Sequence, residues 1–163
     1  MNGMVRICFV CMGNICRSPT AEAVMRHLVE ERGWTKRFAI ESAGTGDWHV
    51  GEPADTRSRT AGLERGYSLD RRAQHFTESS FAMFDFVIAA DRENRRHLER
   101  IAPDDTARSK IHLLRDFDPA SPKGSDVPDP YYGGADGFQH VLDVCEAGCR
   151  GLLSHVAARW EPK

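Results

Sequence analysis

The sequence predicts one α/β domain: a four-stranded parallel sheet with helices on both faces and a phosphate-binding loop directly after the first strand. Three observations carry that expectation. Short apolar runs alternate with helix-period segments, Gly, Pro and Asp punctuate the joints, and the first run passes through a Gly-Asn turn straight into a helix. With 163 residues, 40% of them hydrophobic, the chain is sized for a single domain, 1–163, around one core.

Arg6-Ile7-Cys8-Phe9-Val10 suits a buried strand, and Ser18 with Pro19 behind it reads as the N-cap and first residue of a helix reaching about Arg32. Ala21, Val24, Met25, Leu28 and Val29 recur at three-and-four spacing, so one face of that helix packs, and Gly33 ends it. A second strand is expected from Phe38 to Ala43, then a loop through Pro53 and a helix from about Ala54 to Arg65. Thr77 starts a helical turn, Asp85 to Ala90 form the third strand, and Asp91 caps a helix to about Ile101. Lys110 to Leu114 is the fourth strand. Residues 116–136 hold four of the eight prolines and read as a long loop of the kind that is usually functional or disordered. The last helix runs from about Gly137 to Arg159, with Phe138, Val141, Leu142, Cys145, Cys149, Leu152, Leu153 and Val156 on one stripe.

A formal charge of -2 supplies no basic field for a nucleic acid, so none is expected as a partner. No apolar run approaches the ~18 residues of a membrane span, and no basic segment followed by a long apolar stretch opens the chain. A cytoplasmic protein without membrane insertion is expected. Five cysteines, an odd number in a chain that needs no staples, read as reduced thiols. Two ligand pairs at zinc spacing do not occur and the histidines are scattered, so neither metal nor cofactor is expected.

The chemistry concentrates in VCMGNICRSP, residues 10–19. A loop between a strand and a helix N-terminus turns backbone N–H groups toward an anion, and Gly13 and Asn14 are residues that tolerate the positive φ such a turn needs. A thiol at Cys11, beside the guanidinium of Arg17 and a helix N-terminus, favours the thiolate and is a nucleophile. Arg17 offers a planar fork for two phosphoryl oxygens and for the charge that spreads over them in the transition state. The spacing of Cys11 and Arg17 alone is weak, since chance supplies it readily among so many arginines; the strand, turn and helix around it give it weight. Expelling an alkoxide or phenoxide needs a proton donor, and Asp129 in DVPDPYYGG, residues 126–134, is the candidate. Pro128 and Pro130 restrict its backbone, and Tyr131 and Tyr132 would wall a slot for a flat ring.

VCMGNICRSP and DPYYG resemble the two signature segments of the low-molecular-weight protein tyrosine phosphatases, and SAGT at 42–45 and DWHVG at 47–51 extend the resemblance over nearly the whole chain. It implies that Cys11 forms a phosphocysteine, that Arg17 and the loop from Met12 through Gly13, Asn14, Ile15, Cys16 and Ser18 bind phosphate, and that Asp129 is the acid and then the base. Asn14, Ser18 and Ser42 would support the loop, with Ser18 favouring the thiolate. Met12, Ile15, Trp48, Tyr131 and Tyr132 would line the slot, and Cys16 would form a reversible disulfide with Cys11. The resemblance implies no metal, and it implies tyrosine-phosphorylated proteins, a tyrosine kinase among them, as partners of a monomer or weak dimer.

One departure stands out. Relatives commonly carry a histidine under the phosphate loop where Asp70 and Arg71 stand here, and an Arg71–Asp91 pair is expected to fill that role. Simpler readings accompany each assignment: Cys8, Cys145 and Cys149 as core thiols, Cys16 as structural, Trp48 as a cap on the core, Asp129 as an ordinary Asp-Pro turn. Two other classes share the scaffold. Thiol-dependent arsenate reductases need two further cysteines, and none lies between Cys16 and Cys145; a non-catalytic phosphate-binding module would lack the nucleophile or the acid. Phosphoarginine-directed relatives carry threonine where Ile15 stands, so Ile15 favours phosphotyrosine.

Overall fold

A computed structural model describes residues 3–131 and 133–159. The strands are β1 (Val5–Cys11), β2 (Phe38–Gly44), β3 (Phe86–Ala89) and β4 (Ile111–Leu113). They form one parallel sheet in the order β2-β1-β3-β4, with Cys11 beside Gly44 and Val10 beside Ala89. The chain leaves β1 on one side to make β2 and returns on the other to make β3. The carboxyl end of β1 is therefore the point where the strand order reverses, the usual ligand crevice of such sheets.

Helices α1 (Arg17–Glu31), α2 (Thr56–Glu64), α3 (Arg92–Ile101), α4 (Asp105–Arg108) and α5 (Ala135–Arg159) connect and cover the sheet. Side chains of β1 alternate between two cores. Val5, Ile7, Phe9 and Cys11 join α1 and α5, whereas Cys8 and Val10 join Phe76, Phe81, Phe84 and Leu98 on the other face. Both faces are covered, as the apolar strands require.

The departures from the sequence expectation are local. Helix α1 begins at Arg17 with Cys16 as its N-cap, and no side chain caps it, so Ser18 lies inside the first turn. In α2 the cap is Asp55, whose carboxylate accepts from the Arg57 amide. The short α4 is capped by Asp104, a signal as clear as the one at Asp91 but overlooked among the short connections. The long loop is shorter than expected because Leu114–Phe117 form a 3₁₀ turn and α5 starts at Ala135.

Candidate active site

Cys11 ends β1, and the chain from Met12 to Cys16 wraps around the axis of α1. Three carbonyls of this loop point outward: Cys11 accepts from the Thr45 amide (2.8 Å), Met12 from Gly46 (2.9 Å) and Ile15 from Asp55 (2.8 Å). In a trans peptide the C=O and the next N–H point in opposite directions, so the amides of Met12, Gly13 and Cys16 are turned into the loop. No amide from Met12 to Ser18 has an acceptor among the described residues. They add to the positive end of the α1 dipole and make an anion cradle. Of the two residues expected to tolerate positive φ, Asn14 takes it (58°) and Gly13 does not. The loop also rests on Gly44, where a Cβ would meet the Met12 carbonyl at 2.8 Å.

A hydrogen-bond chain with a defined direction supports the cradle. Buried Glu22 accepts from Ser42 Oγ (2.6 Å) at Oε1, and at Oε2 from Arg71 Nε (2.7 Å) and Arg26 Nε (2.9 Å). Ser42 has then used its only proton, so its oxygen accepts from Asn14 Nδ2 (3.0 Å). The same Asn14 amide donates to Ser18 Oγ (2.8 Å), and Asn14 Oδ1 accepts from the Gln74 amide (2.9 Å). The proton of Ser18 is then free to go to Cys11 Sγ, 2.9 Å away, with the Ala43 carbonyl a longer alternative at 3.5 Å. A thiolate at Cys11 receives a charge-assisted hydrogen bond there.

Arg17 is buried at the start of α1. Its Nη1 meets Asp91 Oδ2 at 2.6 Å and the Val127 carbonyl at 3.1 Å, while Nη2 lies 3.8 Å from Asp129 Oδ2. Burial opposes its charge, yet Cys11, Asp91 and Asp129 around it hold its pKa above the ordinary guanidinium value. Asp91 thus belongs to Arg17 and not to Arg71: the expected Arg71–Asp91 pair does not form. Arg71 instead reaches Glu22 of α1, with Glu41 of β2 at 3.8 Å, so its charge is met by two other carboxylates.

Above the cradle opens a cleft of about 220 Å³. Met12, Ile15, Cys16, Trp48, His49, Asp129 and Tyr131 line it, with Cys11 and Arg17 at its floor. Trp48 is 58% exposed, which disposes of its reading as a core cap, and it lies against Gly46, where any Cβ would strike the indole. The carboxyl of Asp129 is held at Oδ1 by the Tyr131 amide (3.1 Å).

Residues 6–161 match the family profile described as low molecular weight phosphotyrosine protein phosphatase. A protein named low molecular weight protein-tyrosine-phosphatase from Streptomyces coelicolor is 49% identical over 157 residues, 96% of each chain. The crystal structure of a protein tyrosine phosphatase from Entamoeba histolytica with Hepes in the active site superposes with a TM-score of 0.91 at 38% identity, over 95% of this chain and 98% of that one. YfkJ from Bacillus subtilis also superposes with a TM-score of 0.91, at 36% identity over 98% and 99% of the two chains. The chain belongs to the low molecular weight phosphotyrosine protein phosphatase family.

Members of this family are cysteine-dependent, metal-independent hydrolases that work through a phosphocysteine. Of the residues singled out in the sequence, Cys11, Met12, Gly13, Ile15, Cys16, Arg17, Trp48, Asp129 and Tyr131 line one cleft, and Asn14, Ser18 and Ser42 lie beneath it. Tyr132 lies outside the described residues. Cys8 and Cys11, a C-x2-C pair, face opposite sides of β1 and so cannot share a ligand; Cys8, Cys145 and Cys149 are core thiols whose pKa burial pushes upward, Cys145 to about 12. Burial likewise raises Cys16 to about 12, against the hydrogen bond from Ser58. Sequence reasoning missed Glu22, Gln74 and His49 as site neighbours and saw Asp91 as a helix cap and a partner for Arg71, not for Arg17. Glu22 carried one usable signal: it falls one turn after Ser18 on the helix face that packs.

Proposed function

We propose that the chain hydrolyses phosphotyrosine on proteins through a phosphocysteine at Cys11. The observation that carries this reading is the convergence of Cys11, the inward-turned amides, Arg17 and Asp129 on one cleft walled by Trp48 and Tyr131. In the first step Cys11 Sγ attacks phosphorus and the bond to the phenolic oxygen breaks, with Asp129 delivering the proton to that oxygen. In the second, Asp129 takes a proton from water as it attacks phosphorus, and the thiolate leaves. Arg17 and the loop amides hold the equatorial oxygens throughout, where charge is spread in the transition state.

The apolar walls and Ile15 suit a flat aryl group better than a short seryl chain. Substrates are tyrosine-phosphorylated proteins, a tyrosine kinase among them, met in the reducing cytoplasm by a single-domain enzyme acting as a monomer or weak dimer. Cys16, beside the nucleophile, forms a reversible disulfide with Cys11 on oxidation and shields it from higher oxides. The test is hydrolysis of phosphotyrosine, phosphoserine and phosphoarginine peptides side by side, with chelator and reductant present, by wild type and Cys11→Ser. Cys11-dependent turnover of phosphotyrosine alone supports the reading; equal turnover by Cys11→Ser sinks it.

A further inference from the structure

Arg57, in the first turn of α2, stands where the phosphate loop and the acid-bearing segment come together. Its guanidinium lies 5.4 Å from the centre of the Tyr131 ring and 4.7 Å from that of Phe138. It grips Asp55 with two nitrogens, Nε to Oδ1 at 3.1 Å and Nη2 to Oδ2 at 3.0 Å. Asp55 in turn donates its amide to the Ile15 carbonyl, one of the three outward carbonyls that set the cradle (2.8 Å). On the far side, the Tyr131 amide holds Asp129 Oδ1 (3.1 Å). A connected path thus runs from Ile15 through Asp55, Arg57 and Tyr131 to the Asp129 carboxyl. The planar guanidinium suits both ends of the path: it pairs with a carboxylate through its edge and packs on rings through its face, which lysine cannot reproduce.

We propose that Arg57 is a positioning residue that docks the Tyr131 ring beside the phosphate loop and so holds Asp129 within reach of the leaving oxygen. This rests on Asp129 being the general acid. Without Arg57 the segment after Pro128 keeps its turn, since the Pro130 carbonyl still accepts from Gly133, but loses the guanidinium packed on the Tyr131 ring.

The experiment compares kcat/KM for phenyl phosphate, a poor leaving group, and 2,4-dinitrophenyl phosphate, a good one, in Arg57→Gln and Arg57→Lys, each alone and combined with Asp129→Ala. Arg57→Gln is expected to lose about 10-fold on phenyl phosphate, a fraction of what misplacing a catalytic group typically costs. On the dinitrophenyl ester it should lose less than about twofold, because little protonation is needed there. Arg57→Lys should fall between wild type and Arg57→Gln, and inhibition by inorganic phosphate should not change. On the Asp129→Ala background Arg57→Gln should cost nothing further. Equal losses on both esters, weaker phosphate inhibition, or an additive loss on that background would overturn the proposal, since Arg57 would then act on the cradle or on folding in general. If Asp129→Ala by itself leaves phenyl phosphate turnover intact, the acid assignment fails first, and that result is distinct from the others.

Discussion

The phosphate loop and the acid-bearing segment carry the two halves of one reaction, yet they are built differently. The loop is over-determined from beneath: three outward carbonyls, a left-handed Asn14 and a chain of hydrogen bonds from buried Glu22 to Cys11 hold it, while Met12 at its rim stays exposed. Asp129 sits on an exposed turn, with one backbone hydrogen bond and a 3.8 Å approach to Arg17. The difference matches the tasks. An anion cradle works by being in place before charge develops, whereas an acid that must later act as a base has to accommodate first a phenol and then a water.

The largest effect is expected from Cys11→Ser, which should lower turnover by about 10⁴-fold or more while leaving phosphate affinity measurable, because the amides and Arg17 remain. Isothermal titration with inorganic phosphate separates the two. A variant that loses both would mean that the cradle depends on the nucleophile for its shape, contrary to a preorganised loop. Next, Asp129→Ala should cost about 10²- to 10⁴-fold on aryl phosphates with poor leaving groups and leave the unfolding midpoint nearly unmoved, as befits a residue on an exposed turn. A large loss of stability there would break the contrast between the two regions.

Glu22→Gln tests the other side. It removes the charge that fixes the direction of the Ser42, Asn14 and Ser18 hydrogen bonds and strips two arginines of their partner. A fully buried pair broken in this way costs ~3–5 kcal/mol; Arg71 and Arg26 keep access to water, so about 2–3 kcal/mol is expected. Turnover should fall about 10- to 100-fold as Ser18 loses its bias toward Cys11. Urea unfolding and kcat measured together decide it: a stability loss with unchanged kcat would show that Glu22 braces the helix without orienting the loop. Trp48→Ala should change stability by less than about 0.5 kcal/mol. It should raise KM for a phosphotyrosine peptide about 3- to 10-fold with kcat little altered, since the exposed indole rests on Gly46 and His49 and turns its free face to the cleft.

What the sequence made legible follows the same division. Cys11, Arg17 and the loop between them could be read because they are contiguous, and a strand, a turn and a helix start each leave a local signature. Asp129 could be read because two prolines and a tyrosine pair mark it. Glu22, Asp91, Gln74 and Arg57 act through space, and nothing local separates them from surface polar residues. One of the local readings failed for an identifiable reason, and another was met by one of its two candidates. Ser18 has the identity of an N-cap, but its hydroxyl is committed to Cys11 and Asn14, so the helix starts earlier without a side-chain cap. Gly13 has the freedom for positive φ, yet Asn14 takes it, because its side-chain amide gains both serines and its oxygen gains the Gln74 amide.

The smallest expected effect concerns the far end of the acid segment. Asp126 accepts from the amide of Arg92 at the start of α3 (2.9 Å) and pairs with its guanidinium (3.3 Å), and this tie anchors the chain just before Val127, whose carbonyl holds Arg17. Burial pushes the Asp126 carboxyl up in pKa, but Arg92 outweighs it and holds the group below the ordinary carboxylate value. The native state therefore binds this proton less readily than the unfolded chain. The stabilisation is fully present above the unfolded value, near pH ~4, and is lost as pH falls through the depressed native one. Because the pair is exposed and screened, about 1 kcal/mol or less is at stake. Asp126→Asn should lower the urea midpoint slightly at pH 7 and converge on wild type once pH has fallen below the depressed native value. A constant gap between the two would mean that asparagine loses the contact with the Arg92 amide and that this contact matters more than the charge. A gap that widens in acid would reverse the sign argued for this carboxyl and leave the acid segment with no ionic anchor at its base.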